Sequence, residues 1–138
     1  MRYVVCIAAI LAVLIGGCGN ITKGKEAAEG QVVVFHQQFN NQDFNSITAS
    51  AEPDMLSITP KPKVVDLFAA VYRKLGKVTS SQMTNWNLRT FNGETRVVLL
   101  ENSKFEKGNA TEQFVFRMRD GKAHLLSYNI NSPDLIMK

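Results

Sequence analysis

"NWNLRTFNGETRVVLL", Asn85 to Leu100, decides the fold. Before its central Asn-Gly, Trp86, Leu88 and Thr90 alternate with Asn87, Arg89 and Phe91; after it, Val97 and Leu99 oppose Val98 and Leu100. A period of two marks a strand whose two faces meet different surroundings. Asn92-Gly93 supplies the positive φ angles of a tight two-residue hairpin. Outward from this hairpin the pattern repeats. "KGN" at Lys107–Asn109 reads as a second turn, and "QFVFRMR" sets Phe114, Phe116 and Met118 against Val115, Arg117 and Arg119. Asp120-Gly121 then turns the chain into "KAHLLSYNI", which places Leu126, Tyr128 and Ile130 on one face and starts with His124 on that side. Four strands joined by three short glycine-containing turns predict an antiparallel meander.

Upstream the period changes to that of helices. Ala28, Val32, Phe35 and Phe39 fall on one face of a helix starting near Glu26, weakened at Gly30 by about 1 kcal/mol relative to alanine. "NNQD" at Asn40–Asp43 breaks it, and Asp43 is placed to cap a short second helix carrying Phe44, Ile47 and Ala51. "AEPDM" reads as a loop. Thr59 then suits an N-cap with Pro60 in the first turn, before the stripe Val64, Leu67, Phe68, Val71 and Leu75. Gly76 stands where a left-handed C-cap is expected, and Lys74 and Lys77 face the negative end of that helix. Helices followed by a run of strands predict an α+β fold, with N-terminal helices packed on one face of a curved four-stranded antiparallel sheet.

The 138 residues have room for one domain and a leader. Met1-Arg2 precedes an uncharged run from Tyr3 to Ile15, then Gly16 and Gly17, the composition of a signal peptide. A helix of that run spans roughly 20 Å, short of a bilayer core of about 30 Å. A plain secretory leader ending near Gly17 and a retained membrane helix are the alternatives. Cys6 lies inside the leader, so Cys18 has no partner in a processed chain and no disulfide supports the fold. The division expected is a leader over 1–17, Cys18 with a short polar tether to Lys25, and a domain over 26–138.

"IGGC", Ile15 to Cys18, resembles the lipobox of bacterial lipoproteins. The resemblance implies cleavage before Cys18, a diacylglyceryl group on its thiol and acylation of the freed amine. Two or three acyl chains hold a protein durably where one does not. By analogy with lipoprotein sorting, Gly19 in place of aspartate implies the outer membrane, facing the periplasm. The order of helices and strands resembles the cone-shaped superfold of nuclear transport factor 2, ketosteroid isomerase and polyketide cyclases (cystatin-like or SnoaL-like in shape). "FHQQFNNQDFNSI", "FEKGNATEQFVF" and "GKAHLLSYNINS" are similar to segments of small bacterial envelope lipoproteins of unknown function. That group implies no particular activity, since one fold carries many.

Catalytic patterns are sparse. An isomerase-like site needs a carboxylate base beside a neutral donor. Asp43 is accounted for as a cap, Asp66 lies off its helix stripe, and Glu112 is expected to pair across strands with a base such as Arg96. His36 and His124 have no metal-ligand spacing, and there is no nucleophile elbow or phosphate loop. The chain is therefore read as a non-enzyme without cofactor or metal.

The net charge of +4 is scattered and not interleaved with aromatics, which argues against nucleic acid. Phe35, Phe39, Phe68 and Trp86, with Phe114, Phe116 and Tyr128, are the residues that either fill the cone or line a pocket for a small apolar ligand. The second binding mode is an envelope protein partner on the outer sheet face with Val115, Arg117 and Arg119; pairing of two copies through the sheet is a third. The sequence thus points to a lipid-anchored envelope protein acting as a ligand-binding or assembly module. An isomerase- or cyclase-like enzyme built on Tyr128 and a carboxylate is the alternative.

Overall fold

A computed structural model describes residues 18–137, so the leader over 1–17 lies outside the described residues. Helix α1 (Cys18–Asn40) is followed by α2 (Phe44–Ser50), α3 (Pro53–Ile58) and α4 (Lys61–Leu75). Four strands then form one sheet: β1 (Val78–Phe91), β2 (Glu94–Phe105), β3 (Gly108–Arg119) and β4 (Lys122–Asn131). A last turn of helix, α5 (Pro133–Met137), closes the described chain. The curved sheet has the order β1-β2-β3-β4 with every pair antiparallel, and the helices lie against its inner face. The α+β expectation holds.

Local chemistry sets most of the boundaries. Asp43 caps α2 by accepting from the Ser46 N–H at 3.2 Å and from its hydroxyl at 2.6 Å. Gly76 ends α4 at φ +75° and donates its N–H to the Tyr72 carbonyl. Asn92 and Gly93 take φ +50° and +76°, and Asp120 and Gly121 take +51° and +74°, as two-residue hairpins demand.

Several expectations are corrected. "AEPDM" contributes to α3, because Pro53 needs no N–H partner at a first helical position. Thr59 ends α3, and Pro60 takes the N-cap of α4 without a side-chain hydrogen bond. The turn expected around Gly108 lies at Glu106-Lys107, and Gly108 opens β3 opposite Phe105. A side chain at Gly108 would collide with the Asp134 carboxylate from α5.

The tether expected up to Lys25 is helical from Cys18. Gly24 gives the reason: a Cβ there would stand 3.0 Å from Leu88 Cδ1, so its absence lets α1 settle on the sheet. Lys25 follows, with Nζ 5.4 Å from the Trp86 ring centroid and 3.2 Å from the Glu29 carboxylate. Tertiary contact thus outweighs the low helix propensity of this small, polar stretch.

One bulge rearranges β4. Val115 pairs with Ser127 but Phe116 pairs with Leu125, which leaves Leu126 as the extra residue. Leu125, not Leu126, therefore joins Tyr128 inside, and His124 pairs with Arg117 on the outward side.

Candidate functional site

The residues expected to fill or line an interior pocket are mostly brought together. Phe35 lies at their centre, 5.5 Å from Phe68, 5.0 Å from Phe114 and 4.9 Å from Tyr128, centroid to centroid. Phe39 stacks on Phe35 and meets Phe105 edge-on, while Phe114 stacks on Phe116. All seven of these named rings are buried and packed at the separations that aromatic pairs prefer. The void touching Phe35 and Phe116 is about 20 Å³, room for one water. Trp86 stands apart, 37% exposed beneath Lys25. A shallow apolar crevice of about 210 Å³ opens beside β4, where Ile58, Leu67 and Leu126 surround the outer parts of Phe68 and Tyr128.

Among these rings lies a buried polar network. The inward register that carries Phe114 also carries Glu112, only 1% exposed, directly opposite Glu101 on β2. Glu112 Oε1 accepts from the Ser103 hydroxyl at 2.5 Å and faces His36 Nε2 at 2.8 Å. A carboxylate offers lone pairs only, so that nitrogen carries the proton. Glu112 Oε2 accepts from the Tyr128 hydroxyl at 2.5 Å. The expected pairing of Glu112 with Arg96 does not occur. Arg96 lies on the other face of the sheet and bonds to Glu94.

Glu101 continues the chain of contacts. Its Oε2 lies 2.7 Å from the Ser81 hydroxyl, which is itself 2.8 Å from the Ser103 hydroxyl. Each hydroxyl has one proton to give. Two hydroxyl protons serve three contacts, so one of the two carboxyls supplies the third proton. Burial favours Glu101 as that group, pushing its carboxyl above its ordinary value. Burial, with the Glu112 charge beside it, also raises the Tyr128 phenol well above its ordinary value, so it remains a donor.

A second cluster ties α3 to the outer face of the sheet. Glu52 is buried and accepts from Arg117 Nη1 at 2.9 Å, from Arg119 Nε at 2.7 Å and from Arg119 Nη2 at 3.0 Å. Arg119 and Arg117 hold the Glu52 carboxyl below its ordinary range, against the opposing effect of burial. Arg117, 7% exposed, also meets Asp54 at 2.9 Å and Glu94 at 3.2 Å. Of the outer residues expected to meet a partner, Arg117 is thus already engaged internally.

The open outer face divides into two shallow hollows. One, of about 770 Å³, is bordered by Arg89, Phe91, Glu94, Arg96, Val98 and Val115 near the Asn92-Gly93 tip. The other, of about 660 Å³, lies toward the opposite end and is bordered by Gln82, Asn102, Lys104, Asn109, Thr111 and Asn131. Gln82, Asn102, Thr111 and Asn131 form one row straight across all four strands. Among the described residues, no three His, Cys, Asp or Glu side chains are placed to hold a metal. No described helix is long and apolar enough to cross a membrane.

The Glu101–Glu112 pair is the feature that sequence reasoning missed. Its signal was parity, because Glu112 shares the alternation of Phe114 and Phe116, and Glu101 that of Val97 and Leu99. Compared with protein-family models and with curated proteins, the sequence that folds this way matches none.

Proposed function

We propose that this chain is a bacterial envelope protein held to its membrane by acyl chains on Cys18, and that its domain is a non-catalytic module binding through the outer face of its sheet. One observation carries the binding half of this reading. The inner face is committed to packing, with rings filling its apolar part and both oxygens of Glu112 engaged by three donors of the protein itself. The outer face keeps two hollows and a row of amide and hydroxyl side chains that can each donate and accept. The anchoring half rests on the lipobox resemblance of Ile15–Cys18, and outer-membrane placement on Gly19.

A second reading, an isomerase- or cyclase-like enzyme, draws support from the crevice at Phe68 and Tyr128 and from the Tyr128–Glu112 bond. It is weaker, because that bond occupies both groups and lies in the interior.

The test is fractionation with site-specific crosslinking. Cys18→Ser is expected to move the protein from the membrane to the soluble fraction. A photoreactive side chain at Asn102 is expected to give a discrete crosslink in intact envelopes, and one at Val33, exposed on α1, none. Unchanged membrane fractionation contradicts the anchor, and equal crosslinking from both positions contradicts the choice of face.

A further inference from the structure

The attachment point and one end of the sheet lie together. α1 runs antiparallel to β1: Gly24 rests on Leu88 and Val97 near the tip of the first hairpin, and sixteen residues later Asn40 bonds the Val78 backbone at the other end. Ala27 and Gln31 border a hollow shared with Gly121, Lys122 and Ala123, so the third hairpin tip, between β3 and β4, lies at the same end. The six residues from Cys18 to Gly24 rise about 9 Å along a helix. The three residues from Leu88 to Phe91 advance about 10 Å along a strand. Phe91 thereby comes roughly level with Cys18.

That end has the composition of an interfacial surface. Phe91 is 78% exposed, large and apolar at a hairpin tip, and Ile21 is exposed on the first turns of α1. Lys23, Arg89 and Lys122 are exposed around them; the opposing charges at this end are Glu26, Asp120 and Glu94, the last paired in register with Phe91 and engaged by Arg96. No loose linker separates Cys18 from the fold, since α1 begins there. A bilayer's headgroup layer is about 5–8 Å deep on each side, comparable to the rise from Cys18 to the sheet.

We propose that this end of the domain seats directly on the bilayer, with Phe91 inserted at the headgroup level beside the lipidated residue and Lys23, Arg89 and Lys122 toward lipid phosphates. Aromatic rings favour this level of a membrane, and an apolar tip with basic flanks binds by both terms. The inference rests on attachment through Cys18, and it fixes orientation. The amide-lined hollow near Lys104 then faces away from the membrane, where a soluble or wall-bound partner can reach it.

The single tryptophan makes the test direct. In a Trp86→Phe background, Phe91→Trp and Lys104→Trp place a reporter at either end. Each full-length acylated protein is reconstituted into vesicles of phosphatidylethanolamine and phosphatidylglycerol containing bromine-labelled acyl chains. Quenching is expected at position 91, several-fold above that at 104. Equal quenching at both, or none at 91, in vesicle-bound protein whose mass shows acylated Cys18 overturns the seating alone. An unmodified thiol by mass, with protein lost from the vesicles, overturns the anchor and the seating with it.

Discussion

Glu101 and Glu112 face each other in register across β2 and β3, both buried beneath α1, and the Glu101 carboxyl is pushed above its ordinary value. Burial is the main cause, and the Glu112 charge across the ladder adds to it. The two are partnered asymmetrically. Glu112 receives three donors, while Glu101 has only Ser81, itself needed by Ser103.

The first prediction concerns pH. The folded Glu101 carboxyl titrates above its value of 4.5, so the folded protein holds a proton that the unfolded chain releases sooner. Its contribution to stability is fully present below 4.5 and is lost as pH rises through the folded value. Glu101→Gln keeps a neutral donor to Ser81 and has nothing to release. It is expected to be more stable than the parent once pH exceeds the folded Glu101 value, and to flatten the stability profile above 4.5. Urea melts across that window check this, and an unchanged slope would sink the assignment.

Removing the acceptor of the same network has the opposite effect. Glu112→Ala leaves the His36, Ser103 and Tyr128 donors without a partner in a dry interior. Loss of a buried charged partner costs about 3–5 kcal/mol. Tyr128→Phe removes one donor and keeps the ring, for a cost of about 1–2 kcal/mol. Chemical denaturation should rank the two in that order. A reversed order would mean that Tyr128, not Glu112, is the centre of the network.

These groups also show what the chain discloses about itself. The hairpin at Asn92-Gly93, the Asp43 cap and the Gly76 terminator were legible because each is settled within a few residues. The bulge at Leu126 was not, since in "HLLSY" either leucine satisfies an alternating pattern and only pairing with β3 selects Leu125. Glu112 was legible by parity, but the expected cross-strand pairing with Arg96 overrode it, although Arg96 has the opposite parity. Glu52 meets Arg117 across 65 residues, and no local pattern anticipates that contact. Gly24 illustrates the same limit: its meaning lies in Leu88, on another element.

The Glu52 cluster predicts an acid limit. Arg119 and Arg117 hold the Glu52 carboxyl below 4.5, so the stability it contributes is present above that value and is lost as pH falls through the lowered one. This window lies below the Glu101 window, and the two are separable in one titration. Glu52→Gln should remove the acidic limb while leaving the slope above 4.5 unchanged. Asp54→Ala, at an exposed carboxylate that also meets Arg117, should cost no more than about 1 kcal/mol. If Asp54→Ala abolishes the acidic limb and Glu52→Gln does not, the buried partner of Arg117 has been misidentified.

Gly76 supplies the last prediction, because two independent penalties meet there. At φ +75° an L side chain is strained, and a Cβ would stand 2.8 Å from Glu106 Oε1. That oxygen already accepts the Lys77 N–H at 2.7 Å, so it cannot withdraw without leaving a backbone donor unpaired. Gly93 has nearly the same φ, +76°, but nothing within 4 Å of its Cβ position. Gly93→Ala therefore isolates the backbone penalty, about 1 kcal/mol. Gly76→Ala should exceed it, and Gly76→Ala combined with Glu106→Ala should recover only part of the difference, because the Lys77 bond is gone. Thermal or urea melts of the three variants decide this. Equal costs at Gly76 and Gly93 would show that the Glu106 carboxylate moves aside freely and does not brace the junction between α4 and β1.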